Sequence, residues 1–417
     1  MATLKIYGGK RLFGELRVQG AKNACLPCLA AALLGKRSII KNCPDLSDTR
    51  ASVEILNRLG ARTAFSKNTA DISVGTELSG FEIPNELMKK MRSSALFLGA
   101  VLSRCRVAKI TYPGGCSIGA RPIDMHLDAF LQMGVEIDSF GDTIICAADK
   151  IKSCTIRLDF PSVGATENIM LLAARSDAEV KIIGAAAEPE ILDLQNFINS
   201  MGGNIRGAGS RLIIIKGVEK LGDTVYNIMP DRIAALTYMT GVDICGGKAV
   251  LNGVNPDNLL CPIKILKKSG TDITVGEDFV KIKSMRRGRG FGRVETAPYP
   301  LFPTDAQALF MASAMKKTGE SVFCENIFEN RLGHAREFQK FGGDITVFEN
   351  IAKVSGKRKL YGAKVKAADL RGGAALCVAA LAASGQSFVE DAQYIDRGYE
   401  SIEKSFGMLG GEIERIV

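Results

Sequence analysis

A cysteine and an arginine stand close together in the stretch Tyr112–Leu127, which reads YPGGCSIGARPIDMHL. Gly114 and Gly115 sit just ahead of Cys116. Glycine reaches backbone conformations closed to other residues and lets a ligand come near. Arg121 precedes Pro122, a residue suited to the first position of a helix. Ile123, Leu127 and Phe130 then continue with helical apolar spacing. A thiol on such a loop, beside a guanidinium and a helix N-terminus, gains thiolate character. On this stretch alone two readings stand: a reactive thiol, or a surface loop whose cysteine is incidental.

Charged and polar residues also open a series of very apolar segments. Lys22 and Asn23 open NACLPCLAAALL, Ser162, Val163 and Gly164 open the run before ATENIMLLAA, and Asp231 and Arg232 follow Pro230. Asp305 follows Pro303 and Thr304, and Asp369 and Arg371 open LRGGAALCVAALAA. Helix N-termini favour anions, so cations gathered there suit a phosphate or carboxylate substrate. Ser162, Thr304, Asp305 and Asp369 are also good N-caps and need no other role. A lysine at such a start opposes the helix dipole, so Lys22 reads as an uncompensated charge that implies a bound anion. Arg121, Arg331 and Arg397 occupy corresponding loops ahead of amphipathic segments. His126 and His334 read as structural, hydrogen-bonded residues.

The elements that must position these residues repeat. A helix ending in glycine and followed by a short strand recurs at Gly60, Gly134, Gly202, Gly270, Gly342 and Gly410. Glycine there fits the left-handed position that stops a helix. A β-rich segment precedes each of these helices, as in RVAKITY and KAVLNGV. A second helix, apolar nearly all round and therefore buried, is expected to begin near Lys22, Asn85, Ser162, Asp231, Asp305 and Asp369. The chain thus reads as α/β, six repeated modules of about 70 residues each, with a solenoid as the competing architecture. The first buried helix opens at residue 22 with only a short β segment before it, and the C-terminus is expected to supply the missing partner strands. Both chain ends then share one domain, with crossings near residues 20 and 230.

Composition narrows the function classes. The chain has 417 residues, of which 46% are hydrophobic and 24% charged, as in a globular protein with a large core. With two histidines and no tryptophan, a His-rich metal site is excluded. No apolar signal core opens the chain and no apolar run is long enough to span a bilayer, so a cytoplasmic protein without membrane insertion is expected. Eleven scattered cysteines point to reduced thiols, and Cys25 and Cys28 lie in an apolar run that suits buried helix cysteines. The net charge of +9 admits nucleic acid, a membrane surface or small anions as partners. The basic run RRGRGFGR, Arg286 to Arg293, carries no recognisable nucleic-acid grammar and reads as an exposed turn between strands.

The stretches GAKNACLP, MRSSALFLGA, YPGGCSIGARPIDMHL, DFPSVGATENIM, EPEILDL, MPDRIAALTYM, FPTDAQALFMA, IFENRLGHAREF, DLRGGAAL and IDRGYE together resemble the enolpyruvyl transferases. The cysteine loop PGGC resembles the branch that acts on a UDP-sugar more than the shikimate-pathway branch. The resemblance implies an inside-out α/β barrel of two similar domains with three modules each. The first would hold residues 1–20 plus 230–417 and the second, carrying the Cys116 loop, residues 21–229, with the active site in the cleft between them. It implies transfer of the enolpyruvyl group of phosphoenolpyruvate to the 3-hydroxyl of UDP-N-acetylglucosamine, with release of phosphate, no cofactor and no metal. It also implies roles: Cys116 as the acid toward C3 and the target of fosfomycin, and Asp305 as the base on the attacking hydroxyl. Lys22, Asn23, Arg121 and Arg397 would surround phosphoenolpyruvate, with Arg331 and Arg371 as further cations and Asp369 close by. Arg92, Arg121, Pro122, Ile123, Asp124, Met125, Ser162, Val163, Gly164 and Ile327 would hold the nucleotide sugar.

Overall fold

The computed structural model describes residues 2–112, Gly119, 123–285 and 287–416. The chain divides into two compact units: one holds residues 1–19 and 230–417 with Gly119, the other the remaining described residues between 20 and 229.

The repeat in the sequence is a repeat of hydrogen bonding. In each module a central strand has a parallel neighbour on one side and an antiparallel neighbour on the other, and the latter pairs with an antiparallel edge strand. Glu179–Ile183 shows the pattern: it runs parallel to Cys154–Arg157 and antiparallel to Leu212–Lys216, which continues to Ile205–Arg206. The same arrangement surrounds Arg37–Lys41, Gly247–Asn252, Glu320–Cys324 and Gly385–Glu390. Around Val107–Thr111 the sheet has three strands, and the parallel neighbour shrinks to the single bridge between Glu82 and Lys109. Among the described residues no sheet closes on itself. The six-module α/β architecture is built from small open sheets.

Strands that a module lacks in its own stretch of chain are borrowed. The N-terminal Thr3–Gly8 finds its partner strands at the C-terminus, as expected, and lies between Gly385–Glu390 and Glu412–Ile416. The module around Arg37–Lys41 takes its parallel strand from Thr224–Asn227. Leu12–Arg17 supplies the parallel strand beside Gly247–Asn252. Each borrowed strand keeps the four-strand pattern intact.

Strand burial alternates, as in Glu179–Ile183 and Thr143–Ala147, because one sheet face packs on helices and the other faces water. The helices on the inner side are buried almost all round. In one unit they are Lys22–Ala31, Phe97–Cys105 and Val163–Ala174; in the other, Arg232–Cys245, Thr304–Ala314 and Leu370–Ala382. Within each unit the three pack on one another, which explains why they show no polar face. The second of them does not run on from Asn85 as expected. Extended backbone at Met91 separates a short helix Asn85–Lys90 from the 3-10 turn Arg92–Leu96 that leads into Phe97–Cys105. The outer helices, among them Ser47–Arg58 and Pro189–Ser200, end at the six repeat glycines. All six have φ between +78° and +100°, where a side chain would be strained. Among the described residues no helix is long and apolar enough to cross a membrane.

Candidate active site

Helix Thr304–Ala314 begins after Pro303 without a side-chain cap. Thr304 and Asp305 are therefore not the caps that their residue types suggest. Thr304 Oγ1 lies 3.0 and 2.9 Å from the two carboxylate oxygens of Glu325. Asp305, one residue further on, turns to two guanidiniums. Its Oδ1 accepts from Arg331 Nη2 at 2.9 Å, and its Oδ2 accepts from Arg371 Nε at 3.0 Å and Nη2 at 2.8 Å. The two-point contact with Arg371 is the strong fork geometry for a carboxylate. The arginine side chains are 5% exposed and the Asp305 side chain 25%, so the carboxylate is the part of the cluster that meets the surface.

Burial alone would raise the Asp305 carboxyl, but Arg371 and Arg331 outweigh it and hold it well below the usual range. Burial likewise pulls Arg371 down while Asp305 holds it above its ordinary value. His334 is pushed down to about 4 by burial, with Asp369 and Arg331 acting in opposite directions, so its imidazole is neutral at pH 7. Two buried nitrogens in this cluster, Arg371 Nη1 and His334 Nε2, have no partner among the described residues. A buried donor without a partner is costly.

Other residues named from the sequence lie in the same unit. Asp369 caps its helix, accepting from Arg371 N at 2.9 Å and Gly372 N at 3.0 Å. Asp231 caps in the same way through Ile233 N and Ala234 N, and the Arg232 guanidinium lies 5.7 Å from the centre of the Tyr299 ring. Ile327, half-buried, donates its N–H to Glu325 at 3.0 Å. Arg331 and Arg397 each precede an outer helix, Ala335–Lys340 and Ile402–Met408. Arg397 closes the 3-10 turn Ala392–Arg397.

The other unit carries a second group. Lys22 opens its helix buried and paired with Asp48 at 2.6 Å, side chains 10% and 5% exposed. The charge read as uncompensated is thus compensated by a carboxylate 26 residues away. The neighbouring Asn23 is exposed. Ser162 Oγ caps the helix Val163–Ala174 by accepting from Ala165 N at 3.3 Å. A Cβ on Gly164 would stand 3.0 Å from His126 Cε1, so Ser162–Gly164 lie against the helix Asp124–Gln132 that Ile123 caps and that holds Asp124 and Met125. Asp124 Oδ1 accepts from the Tyr112 hydroxyl at 3.3 Å. Asn168 fixes the His126 tautomer. Its Oδ1 accepts from Gly99 N and its Nδ2 donates to Ala95 O, so Nδ2 also donates to His126 Nδ1 at 2.8 Å and the proton sits on Nε2. Of Arg92 only the backbone is described, at the head of Arg92–Leu96. Cys116, Arg121 and Pro122 lie outside the described residues.

Two carboxylates at these sites were not singled out from the sequence. Asp48 sits in the first turn of Ser47–Arg58, where an acid reads as ordinary dipole chemistry. Glu325 follows the strand Glu320–Cys324 and is buried. Its one sequence signal is a charge at the end of an apolar strand. Cys25 and Cys28 are buried, and burial pushes both thiols up. The described part of the basic run follows the strand Phe279–Ser284 and ends inside the strand Gly292–Glu295, with Arg287, Arg289 and Arg293 exposed.

Residues 6–406 match the family described as EPSP synthase (3-phosphoshikimate 1-carboxyvinyltransferase). The UDP-N-acetylglucosamine 1-carboxyvinyltransferase 2 of Caldanaerobacter subterraneus subsp. tengcongensis is 45% identical over 419 residues, covering 100% of both chains. The UDP-N-acetylglucosamine 1-carboxyvinyltransferase of Thermotoga maritima is 43% identical over 100% of this chain and 99% of its own. Among solved structures, the enolpyruvyl transferase NikO from Streptomyces tendae superposes with a TM-score of 0.90 at 24% identity, covering 99% of this chain and 98% of its own. An EPSP synthase from Acinetobacter baumannii superposes at 0.77 with 20% identity over 100% of both chains. The two structural likenesses speak for the fold.

Proposed function

The chain belongs to the EPSP synthase family of enolpyruvyl transferases, and from that premise we propose that it moves the enolpyruvyl group of phosphoenolpyruvate to the 3-hydroxyl of UDP-N-acetylglucosamine. The acceptor is the one in the names of its 45% and 43% identical relatives. The observation that carries the chemistry is the partly exposed Asp305 carboxylate held by Arg331 and Arg371.

In this reading the sugar hydroxyl adds to C2 of phosphoenolpyruvate while C3 gains a proton. The tetrahedral ketal then loses a proton from C3 and expels phosphate. Asp305 takes the hydroxyl proton and Cys116 gives the proton to C3, the acid and base that addition across a double bond needs. Lys22, Asn23, Arg121 and Arg397 receive phosphoenolpyruvate and its phosphate, with Arg331, Arg371 and Asp369 beside them. Arg92, the residues 121–125, Ser162–Gly164 and Ile327 hold the nucleotide sugar. A substrate anion drawn to these arginines competes with Asp305 for the guanidiniums, and the carboxylate regains basicity when the substrate is in place. No electrons change hands, so the step calls for no redox cofactor. The reaction belongs to the first committed step of peptidoglycan synthesis, in the cytoplasm, and a loop thiol at Cys116 makes fosfomycin an inhibitor.

The test is phosphate release from phosphoenolpyruvate with UDP-N-acetylglucosamine and, separately, with shikimate 3-phosphate. Release with the nucleotide sugar alone, abolished by fosfomycin and in Cys116→Ala, is the expected result. Release with shikimate 3-phosphate alone, or with neither, overturns the proposal.

A further inference from the structure

Glu325 is 2% exposed, yet hydroxyls and backbone N–H groups, not cations, hold its carboxylate. Its Oε1 accepts from Thr296 Oγ1 at 3.0 Å, Ile327 N at 3.0 Å and Phe328 N at 3.3 Å. Thr304 Oγ1 stands within 3.0 Å of both its oxygens. Its own backbone is tied to Asn350 on each side: Glu325 N donates to Asn350 O at 2.8 Å, and Asn350 Nδ2 donates to Glu325 O at 3.0 Å. Burying a carboxylate is expensive unless its lone pairs are filled, and these donors fill them.

These contacts close a ring. Glu325 holds Phe328, whose aromatic ring centre lies 5.4 Å from the Arg331 guanidinium. Arg331 holds Asp305 at 2.9 Å. Asp305 follows Thr304 in the first turn of its helix, and Thr304 returns to Glu325. Both anchors of the Asp305–Arg331 pair, the helix start and the loop, therefore end on one buried carboxylate. We infer that Glu325 is a positioning residue that sets the separation of Asp305 and Arg331. The inference rests on reading Asp305 and Arg331 as site residues.

The experiment labels aspartate with 13C at Cγ in the full chain, assigns Asp305 with D305N, and follows its titration in the wild type, Glu325→Gln and Glu325→Ala. Phosphate release is measured in parallel. Glutamine keeps an acceptor oxygen for Ile327 and Phe328, and its amide can donate to the Thr304 hydroxyl. In the wild type Asp305 shows no step above pH ~3.9, the ordinary carboxyl value. In Glu325→Ala the loosened Arg331 lets the Asp305 step rise toward that value, and turnover falls roughly 100-fold, as for a small misplacement of a reacting group. Glu325→Gln keeps both near wild type. Removing a nearby negative charge without any displacement would push Asp305 further down, so the sign separates positioning from simple charge loss. An Asp305 step that stays put or falls in Glu325→Ala overturns the inference. A rise of equal size in Glu325→Gln overturns it as well. Should the wild type release no phosphate with either acceptor, the proposed reaction fails, while the Asp305 titration still decides the role of Glu325.

Discussion

The helix Thr304–Ala314 has an ionic cluster at each end, and the two differ in one respect. Near its C-terminal end, Asp243 and Lys317 pair at 2.7 Å with side chains 0% and 2% exposed. Asp243 also accepts from Ser313, Thr271 and Ser284. Lys317 reaches Ser269 at 3.1 Å and the face of Phe291 at 5.1 Å. The pair is surrounded by its own partners and has no opening. At the N-terminal end, Asp305 keeps a quarter of its side chain exposed, and Arg371 Nη1 and His334 Nε2 have no partner among the described residues. A closed network fixes how elements pack. An open one, with two guanidiniums on a partly exposed carboxylate, is suited to take something in.

The comparison breaks or holds on substitution. Asp243→Ala leaves an uncompensated buried ammonium and should lower stability by about 3–5 kcal/mol, read as the urea unfolding free energy, while the folded fraction keeps its turnover. Asp305→Asn should do the reverse. Turnover falls by roughly 10²–10⁴-fold, the usual size for a lost general base, and the unfolding free energy changes much less than in Asp243→Ala. If Asp305→Asn proves the more destabilising of the two, the open and closed clusters do not differ in kind.

A third buried carboxylate sharpens the contrast. Asp193, in the other unit, is held by neutral donors. It accepts from the Tyr226 hydroxyl at 2.8 Å and from Met229 N at 3.3 Å. Burial pushes it up to about 6, with those two hydrogen bonds working against the rise. Its folded pKa exceeds its unfolded one, so the folded state binds more protons between them, and stability falls as pH climbs from about 4 to about 6. Across that window the loss amounts to about 2–3 kcal/mol. Urea unfolding against pH should show a decline in the wild type that is smaller by about that amount in Asp193→Asn, since burial also pushes Glu167 up. A flat wild-type profile over this window would mean the site is less dry than its packing indicates.

The smallest effect belongs to a residue that does only what its type announces. Ser162→Ala removes one cap from the helix Val163–Ala174 and should cost about 1 kcal/mol by the same urea measurement. A loss several times larger would mean that Ser162 carries more of its site than a helix end.

What was legible in the sequence was local. Each repeat glycine stops its helix because φ near +80° to +100° excludes a side chain, a constraint that needs no knowledge of the rest of the chain. The caps at Ser162, Asp231 and Asp369 reach two or three residues along their own helices. The apolar helices showed their burial in composition alone, and the strand pattern followed from alternation. Thr304 and Asp305 looked like caps by the same rules and were not, since their side chains found better partners elsewhere.

Those partners are what tertiary structure decided. Asp305 and Arg371 are 66 residues apart, Asp243 and Lys317 are 74, and Thr304 and Glu325 are 21. Whether a carboxylate caps, pairs or titrates depends on which donor the packing of helices and loops brings within 3 Å, and composition is silent on that. The same holds for the borrowed strands: Thr224–Asn227 and Thr3–Gly8 carry no mark of the sheets they complete, because a β-strand's hydrogen bonds are satisfied by whatever edge the fold presents.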